Sequence, residues 1–265
     1  MKPALIVNGA AGRMGKRIVA LACENGQFEV VGTTDYTEHP DLGKDVGPLA
    51  GIEPIGVKLS ADFPESAAVM IDFSLPQAAD ASIDYCAKNG VALVMGTTGL
   101  SDGQLAKLKD ASGKIAIVQA TNMSLGMNLL FATVGTVAKA LGENYDIEIV
   151  EAHHRFKKDA PSGTALSLAE AVCEETGRDY PGSLTHGREG KEATRQPGTI
   201  GMHAIRGGDI VGEHSVIYST LGETVTISHS AHTRDTFARG ALRAAEWITG
   251  QEPGLYDMQD VLGLK

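Results

Sequence analysis

Short apolar runs alternate with helix-like stretches along the first half of the chain. Runs rich in Val, Ile and Leu predict buried strands at residues 4–7, 28–33, 68–73, 91–95 and 114–119. The first helix is indicated by Met14, Ile18, Leu21 and Ala22, which recur at helical spacing. Further helices are predicted at residues 76–89 and 101–112. Strands that alternate with helices predict an α/β fold with a Rossmann-like, doubly wound parallel sheet.

The pattern changes after about residue 124. A helix is predicted at residues 125–141, a strand at 145–152 and a helix at 164–176, followed by a polar loop at 177–198. Alternating runs with turn signals between them then predict an antiparallel or mixed sheet over residues 200–230. Residues 235–249 return to a helix with one apolar face. We therefore predict two domains, one formed by residues 1–124 plus 234–265 and an inserted α+β domain on a mixed sheet, residues 125–233.

A glycine-rich turn follows the first predicted strand. It reads Gly9-Ala10-Ala11-Gly12-Arg13-Met14-Gly15 and opens the first predicted helix. Gly9 permits a tight turn, Gly12 allows a pyrophosphate to approach the backbone, and Gly15 allows close packing of the helix. The N–H groups at the helix start form an anion site, and Asp35 after the second strand is placed to bind an adenine ribose. This order of elements favours dinucleotide binding over a purely structural turn.

Two further loops follow predicted strands of the same domain. Gly96-Thr97-Thr98-Gly99 follows the strand at 91–95, and Ala120-Thr121-Asn122-Met123 follows the strand at 114–119. Ligands of open parallel sheets bind beyond the carboxyl ends of the strands, so both loops are candidates to line a nicotinamide. The pattern is equally compatible with ordinary strand-to-helix connections.

The densest basic segment of the chain lies between a predicted strand and a predicted helix. It runs Glu151-Ala152-His153-His154-Arg155-Phe156-Lys157-Lys158-Asp159-Ala160-Pro161-Ser162-Gly163-Thr164-Ala165. His153, His154 and Lys157 offer several proton donors, and a helix start at Gly163 and Thr164 is suited to hold a carboxylate. One alternative is a solvated basic loop in which Ser162 only caps the helix that follows. The other is a metal site, which adjacent histidines without a well-spaced third ligand disfavour.

Composition narrows the class of partner. The 265 residues carry 23 basic and 33 acidic side chains, and the net charge of −10 argues against nucleic acid. A basic segment in an otherwise acidic chain suits a small anionic substrate. No apolar run approaches the roughly 18 residues of a membrane span, the N-terminus has no signal-peptide pattern, and the cysteines Cys23, Cys86 and Cys173 are widely spaced. We therefore expect a cytoplasmic protein with reduced thiols and no membrane, nucleic-acid or metal partner.

The run from Glu151 to Ala165 resembles the signature of the dihydrodipicolinate reductase family, whose activity is also called 4-hydroxy-tetrahydrodipicolinate reductase. Other landmarks of that family follow in order: the glycine turn, Asp72-Phe73-Ser74, residues 96–99, residues 120–122, Gly198-Thr199-Ile200-Gly201, and the stretch from Arg206 to His214. The resemblance extends from residue 4 to about residue 262. It implies an NAD(P)H-dependent oxidoreductase of lysine and diaminopimelate biosynthesis, which reduces 4-hydroxy-tetrahydrodipicolinate to tetrahydrodipicolinate with loss of water.

The resemblance also implies roles for individual residues. His153 and Lys157 match the proton-transfer residues, and His154, Gly163 and Thr164 match positions that bind a small dicarboxylate substrate. The pyrophosphate and adenine ribose would be bound by Gly9, Ala10, Ala11, Gly12, Arg13, Met14 and Asp35. The nicotinamide would be lined by Gly96, Thr97, Thr98, Ala120, Thr121, Asn122 and Met123. Residues 1–124 plus 234–265 would then be the dinucleotide-binding domain, and residues 125–233 the substrate-binding and oligomerisation domain.

Cofactor choice and assembly follow from the same resemblance. Tyr36 follows Asp35 where many family members have an arginine against the NADP phosphate, so we expect NADH to serve at least as well as NADPH. Pairing of the inserted-domain sheets would give a homotetramer. The alternatives are another aspartate-family dehydrogenase and a non-catalytic NAD(P)-sensing protein of the same fold. The His-His-Arg-x-Lys run argues against the first, and retention of the histidines and the lysine argues against the second.

Overall fold

A computed structural model describes residues 2–265. Contacts within the chain divide it into two compact units. Unit 1 consists of Met1–Leu125 and Asp235–Lys265, and unit 2 consists of Gly126–Arg234. Across the described residues, every helix is too short or too polar to cross a membrane.

Strands and helices alternate along most of residues 2–265. The strands are β1 (Ala4–Asn8), β2 (Glu29–Thr34), β3 (Leu59–Ser60), β4 (Val69–Asp72), β5 (Ala92–Met95), β6 (Ala116–Gln119), β7 (Asp146–His153), β8 (Leu184–His186), β9 (Ile200–Arg206), β10 (Gly212–Thr220), β11 (Glu223–Ala231) and β12 (Gly254–Tyr256). The helices are α1 (Arg13–Asn25), α2 (Val46–Leu49), α3 (Pro76–Asn89), α4 (Asp102–Ala111), α5 (Leu125–Leu141), α6 (Gly163–Thr176), α7 (Asp235–Ile248) and α8 (Met258–Leu262).

Unit 1 is built around a parallel sheet with the strand order β12-β6-β5-β4-β1-β2-β3. Successive side chains of a strand point to opposite faces, and both faces are covered. Leu5 and Val7 pack with α1 and α7, whereas Ile6 and Met70 pack with α3 and α4. Helices on both faces of a parallel sheet confirm the predicted Rossmann-like, doubly wound class.

Unit 2 contains a mixed sheet with the strand order β11-β10-β7-β9-β8. β10 pairs antiparallel with both β7 and β11, whereas β7, β9 and β8 run parallel. Helices α5 and α6 pack on one face, against a core that includes Ile149, Val216 and Tyr218. The mixed sheet agrees with the prediction for this part of the chain.

Most predicted elements form within one or two residues of the expected positions, and the exceptions are short. The predictions omitted α2, β3, β8, β12 and α8. Strand β8 lies inside the stretch that we predicted as a polar loop, and β3 has two residues. These strands form at sheet edges by pairing with β9 and β2, respectively. Pairing with a distant partner stabilises them, and their own residue pattern carries no periodic signal.

Candidate active site

The turn after β1 depends on glycines. Gly9 has a left-handed φ of +76°, and a Cβ added there would lie 2.5 Å from the carbonyl oxygen of Phe73. A Cβ added at Gly15, in the first turn of α1, would lie 2.1 Å from the carbonyl oxygen of Gly9. Helix α1 therefore packs directly on the turn, which is the role that the spacing predicts for Gly15.

Hydrogen bonds hold the backbone of this turn. The N–H groups of Gly9 and Ala10 both donate to the carbonyl oxygen of Thr34, and the N–H of Gly12 donates to that of Gly9. Helix α1 then begins at Arg13 with no side-chain cap. An uncapped helix start offers N–H groups and the positive end of the helix dipole to an anion. A pyrophosphate would thus meet the first turn of α1 more than the N–H groups of the glycine turn itself.

Asp35 follows β2 and contacts the glycine turn. One carboxylate oxygen accepts the N–H of Ala11 at 2.9 Å, and the other accepts the N–H of Tyr36 at 3.0 Å. A carboxylate has about four acceptor positions, so both oxygens keep capacity for ribose hydroxyls. Tyr36 is 59% exposed and packs edge-on against the ring of His39. An aromatic side chain, and not a guanidinium, therefore follows the carboxylate.

The loops after β5 and β6 begin at the same edge of the sheet as the glycine turn, because the strands are parallel. Thr98 and Thr121 are exposed there. The Thr97 hydroxyl instead donates to Asp72 at 2.7 Å, and Met123 is buried in the core of unit 1. Any cofactor contact of Thr97 or Met123 would therefore use backbone atoms. Among the other predicted cofactor residues, the buried ones are Gly9, Ala10 and Gly96, and the partly or fully exposed ones are Ala11, Gly12, Arg13, Met14, Asp35, Ala120 and Asn122.

A fully buried carboxylate lies at the end of β4. Asp72 accepts hydrogen bonds from Asn8 Nδ2 at 3.0 Å, from the N–H and hydroxyl of Ser74 at 2.9 and 2.7 Å, from Thr97, and from the Ser82 hydroxyl. These donors belong to the ends of β1, β4 and β5 and to α3. The network fixes the strand ends from which the predicted cofactor loops emerge. Asp72 is part of a family landmark in the sequence, but the sequence pattern indicates no role for it.

In unit 2, the last residues of β7 carry a buried glutamate, Glu151, in contact with a partly buried histidine, His153. Glu151 is 1% exposed, and its Oε2 lies 2.6 Å from His153 Nδ1. Both Glu151 oxygens also accept from the Arg206 guanidinium at 2.7 Å, and Oε1 accepts the N–H of Ser162 at 3.0 Å. Burial would raise the pKa of Glu151, but the hydrogen bonds from Arg206, His153 and Ser162 lower it overall. The carboxylate is therefore ionised at neutral pH.

His214 packs next to this pair. Its ring lies edge-on to that of His153, with centroids 5.2 Å apart, and its Nε2 lies 3.1 Å from the Ser162 hydroxyl. The same hydroxyl accepts the N–H of Ala165 and so caps α6. Burial, reinforced by the charge of His153, lowers the pKa of His214 to about 4. His214 is therefore neutral at physiological pH.

The other predicted residues of the basic segment lie in the chain between β7 and α6. Lys157 pairs with Asp159 at 2.9 Å, and its charge lowers the pKa of both His153 and His214, although burial is the larger cause for each. His154 lies beside Phe156, with ring centroids 6.3 Å apart. The buried Nδ1 atoms of His154 and His214 have no hydrogen-bond partner within residues 2–265. One histidine of the segment predicted to bind substrate, His154, and one histidine of β10, His214, thus present unpartnered polar atoms.

Helix α6 begins directly after this segment. A Cβ added at Gly163 would meet no atom within 4 Å, so open space adjoins the backbone at the helix start. Thr164 follows in the first turn and is partly exposed. The positive end of the helix dipole lies at these residues and favours a carboxylate there. The structure therefore brings the two predicted binding residues together at one helix end.

The sequence pattern predicts neither Arg206 nor His214 as a member of this cluster, and it indicates no role for Glu151. Cross-strand pairing brings them together: His153 pairs with Arg206 on β9, and Glu151 pairs with His214 on β10. Arg206 and His214 are the first and last residues of one of the family landmarks. That landmark was the signal in the sequence that could have pointed to both residues. Among the described residues, no group of three or more His, Cys, Asp or Glu side chains is placed to hold a metal ion.

Comparison with known proteins decides the family. The family model described as "Dihydrodipicolinate reductase, N-terminus" matches residues 4–123, and that described as "Dihydrodipicolinate reductase, C-terminus" matches residues 126–262. The chain belongs to the dihydrodipicolinate reductase family. Relatives named 4-hydroxy-tetrahydrodipicolinate reductase include one from Alkalilimnicola ehrlichii, 48% identical over 100% of both chains, and one from Syntrophotalea carbinolica, 45% identical over 98% of both chains.

Solved structures agree with this family at the level of the fold. A dipicolinate-bound dihydrodipicolinate reductase from Paenisporosarcina sp. TG-14 has a TM-score of 0.77 at 22% identity, covering 98% of this chain and 99% of the other. A probable dehydrogenase from Thermotoga maritima has a TM-score of 0.62 at 11% identity, covering 98% of this chain and 93% of the other. At these identities the similarity establishes the fold alone.

Proposed function

We propose that the protein reduces 4-hydroxy-tetrahydrodipicolinate to tetrahydrodipicolinate in lysine and diaminopimelate biosynthesis, with NAD(P)H as the hydride donor. The observation that carries this proposal is the match of one reductase family to both halves of the chain. One hydride from the cofactor and one proton are added to the substrate, and one water leaves. The protein must therefore deliver a proton as well as position two ligands.

A nicotinamide cofactor belongs to this family and fold, and unit 1 has features that suit it. The Gly9 turn leaves no room for a larger side chain, α1 starts uncapped, and Asp35 keeps acceptor capacity. When bound, the reduced nicotinamide supplies the hydride. The first turn of α1 would hold the pyrophosphate, Asp35 the adenine ribose, and the loops at Gly96 and Ala120 the nicotinamide. Unit 1 would be the dinucleotide-binding domain and unit 2 the substrate-binding domain.

Unit 2 would hold a small dicarboxylate. The helix start at Gly163 and Thr164 suits one carboxylate, and the unpartnered Nδ1 of His154 suits a polar group of the same ligand. The solved relative from Paenisporosarcina is described as bound to dipicolinate, which is a compound of this class. We assign His154, Gly163 and Thr164 to substrate binding.

We assign proton delivery to His153 and Lys157. Lys157 lies near enough to His153 for its charge to lower the pKa of that histidine, although burial is the larger cause. Either group is a donor that can exchange its proton with a bound substrate. Asp159, which pairs with Lys157 at 2.9 Å, holds the lysine side chain in this segment.

NADH would serve at least as well as NADPH. The Asp35 carboxylate suits the free hydroxyls of an NADH ribose and repels a 2′-phosphate. The next side chain, Tyr36, carries no charge to compensate that repulsion.

We also propose that the chain forms a homotetramer through unit 2. Helices α5 and α6 cover one face of its sheet. On the other face, side chains such as Val150, Ile217 and Ile205 are only partly buried or exposed, with Ile205 at 51%. Burial of this face against a second copy would cover these apolar groups. We further propose a cytoplasmic location, which suits free thiols at Cys23, Cys86 and Cys173.

The test is a turnover assay with freshly prepared 4-hydroxy-tetrahydrodipicolinate, in which the loss of NADH absorbance is monitored. We expect NADH oxidation that depends on this substrate, and no reduction of NAD⁺ when aspartate is supplied with NAD⁺ instead. Calorimetry of NADH binding is the parallel measurement. Binding without turnover would favour the NAD(P)-sensing alternative, and turnover of aspartate would favour the aspartate-family dehydrogenase.

A further inference from the structure

Glu151 is buried and is held by hydrogen bonds from two other elements. It is 1% exposed, and both of its oxygens are engaged by the Arg206 guanidinium at 2.7 Å. The N–H of Ser162, at the start of α6, adds a third anchor at 3.0 Å. Glu151 therefore joins three elements, β7, β9 and the start of α6, and cannot turn away from the ring of His153.

The carboxylate decides which nitrogen of His153 carries the proton. An ionised carboxylate only accepts hydrogen bonds, so the 2.6 Å contact requires that His153 Nδ1–H donates to Glu151. In the neutral ring, Nε2 is then the unprotonated nitrogen. Gly212 lies next to this nitrogen, because a Cβ added at Gly212 would be 3.2 Å from His153 Nε2. A glycine at this position keeps a side chain from crowding Nε2.

We propose that Glu151 is a positioning residue that fixes the Nδ1–H tautomer of His153, so that the free Nε2 takes up one proton from solvent and passes that proton to the substrate. Arg206 and the Ser162 N–H hold the carboxylate in place for this purpose. Glu151 itself does not contact the substrate. The inference rests on the proposed function, because it assigns Nε2 of His153 to proton exchange.

The same strand provides a matched control. Glu148 lies 2.6 Å from His203 Nε2 and is bound by Arg188 and Arg195, at 2.7 and 3.0 Å. It therefore repeats the arrangement of one carboxylate, one histidine and guanidinium groups. Glu148 lies outside the basic segment and has no part in the proposed site. A variant of Glu148 measures what the loss of such a cluster does to the sheet and its uncovered face, apart from the proposed site.

The experiment combines NMR and kinetics on the full chain. Histidine labelled with ¹⁵N reports the tautomer and pKa of each ring. Spectra are recorded for the wild type, Glu151→Gln and Glu148→Gln. The signals of His153 are assigned as those missing from the spectrum of His153→Ala. We expect the Nδ1–H form for wild-type His153, and its loss or a mixture of tautomers in Glu151→Gln. In that variant kcat should fall at least about tenfold and its pH profile should shift, with the KM for NADH unchanged. Glu148→Gln should keep the His153 signals, the kcat and its pH profile.

Three results would overturn the proposal. The first is an Nε2–H tautomer of wild-type His153, a result that does not depend on the folding of either glutamine variant. The second is a Glu151→Gln enzyme with unchanged kcat and pH profile. The third is an equal loss of kcat in both glutamine variants, which would make the role of Glu151 structural. If the wild type bound NADH but turned over no substrate, the proposed function would fail, and the tautomer measurement would show whether Glu151 still fixes the ring.

Discussion

The carboxylate of Asp35 accepts a 2.9 Å hydrogen bond from the backbone N–H of Ala11, so the end of β2 is tied to the turn that follows β1. The group predicted to bind the ribose is thereby fixed relative to the turn predicted to bind the pyrophosphate. A carboxylate held in this way cannot swing aside to admit a 2′-phosphate without losing that bond.

This relationship predicts the cofactor preference. The wild type should have a kcat/KM for NADH at least equal to that for NADPH. Asp35→Asn removes the charge and should shift the ratio towards NADPH by about tenfold. Glu38→Gln, which changes an exposed carboxylate three residues further on, is the control and should leave the ratio unchanged. A wild-type kcat/KM for NADPH ten times that for NADH would refute the prediction.

Three alanine variants separate proton delivery from substrate binding. His153→Ala and Lys157→Ala remove the proposed donors and should lower kcat by roughly a hundredfold or more. His154→Ala should mainly raise the substrate KM, because it removes a binding group. Calorimetry should give an unchanged affinity for NADH in all three variants, since the predicted cofactor residues lie in unit 1. A near-normal kcat for Lys157→Ala would show that the proton-donor assignment is wrong and that the segment only binds substrate.

Asp72 should matter for stability. In Asp72→Asn, an NH₂ group replaces one of the two acceptor oxygens. Donors such as Asn8 Nδ2 and the Thr97 hydroxyl then lose an acceptor at a fully buried position. We expect the free energy of unfolding to fall by about 1–3 kcal/mol. Urea denaturation measures this, with Asp62→Asn as a surface control of the same chemistry. Equal stability of the two variants would show that the network contributes nothing.

Acid should weaken unit 2 through Glu148. Burial would raise its pKa, but hydrogen bonds from Arg188, His203 and Arg195 outweigh burial and lower the pKa from 4.5 to about 2. Because the folded pKa is the lower one, the stabilisation, on the order of 3 kcal/mol, is complete above pH 4.5 and disappears as the pH falls towards 2. Urea unfolding should therefore separate the wild type from Glu148→Gln at pH 7 and much less at pH 3. A difference that is constant with pH would contradict this assignment.

The proposed tetramer predicts a solution mass of four chains of 27.7 kDa. Ile205→Lys places a charge on the uncovered face of the unit 2 sheet and should dissociate the assembly. Leu105→Lys is the matched control, because Leu105 is similarly exposed, at 41%, but belongs to α4 of unit 1. Light scattering at micromolar concentration measures all three proteins. A monomeric wild type would exclude the tetramer.

The sequence was sufficient to predict elements whose own residues carry a periodic signal. Helix α6, for example, begins one residue before its predicted start and ends at the predicted residue, Thr176. The contiguous part of the candidate site, from His153 to Thr164, was proposed from the sequence, and the roles of its residues stay predictions. The contacts of Glu151 with Arg206 and of Ser162 with His214 were not predicted, because they depend on which strands pair and in which register. The burial of Thr97 and Met123 was also beyond prediction, since it depends on what packs over each loop.

The insertion of unit 2 before α7 sets the order in which the chain can mature on the ribosome. Helix α7 packs on α1 and beside β4 and β5, and Gly240 lies so close to Met123 that an added Cβ would be 1.7 Å from its carbonyl oxygen. Synthesis runs from the N-terminus, so every residue of unit 2 leaves the ribosome before this helix does. A nascent chain arrested at residue 234 would contain all residues of unit 2 but only part of unit 1. One apolar face of the unit 1 sheet would then lack its cover by α7.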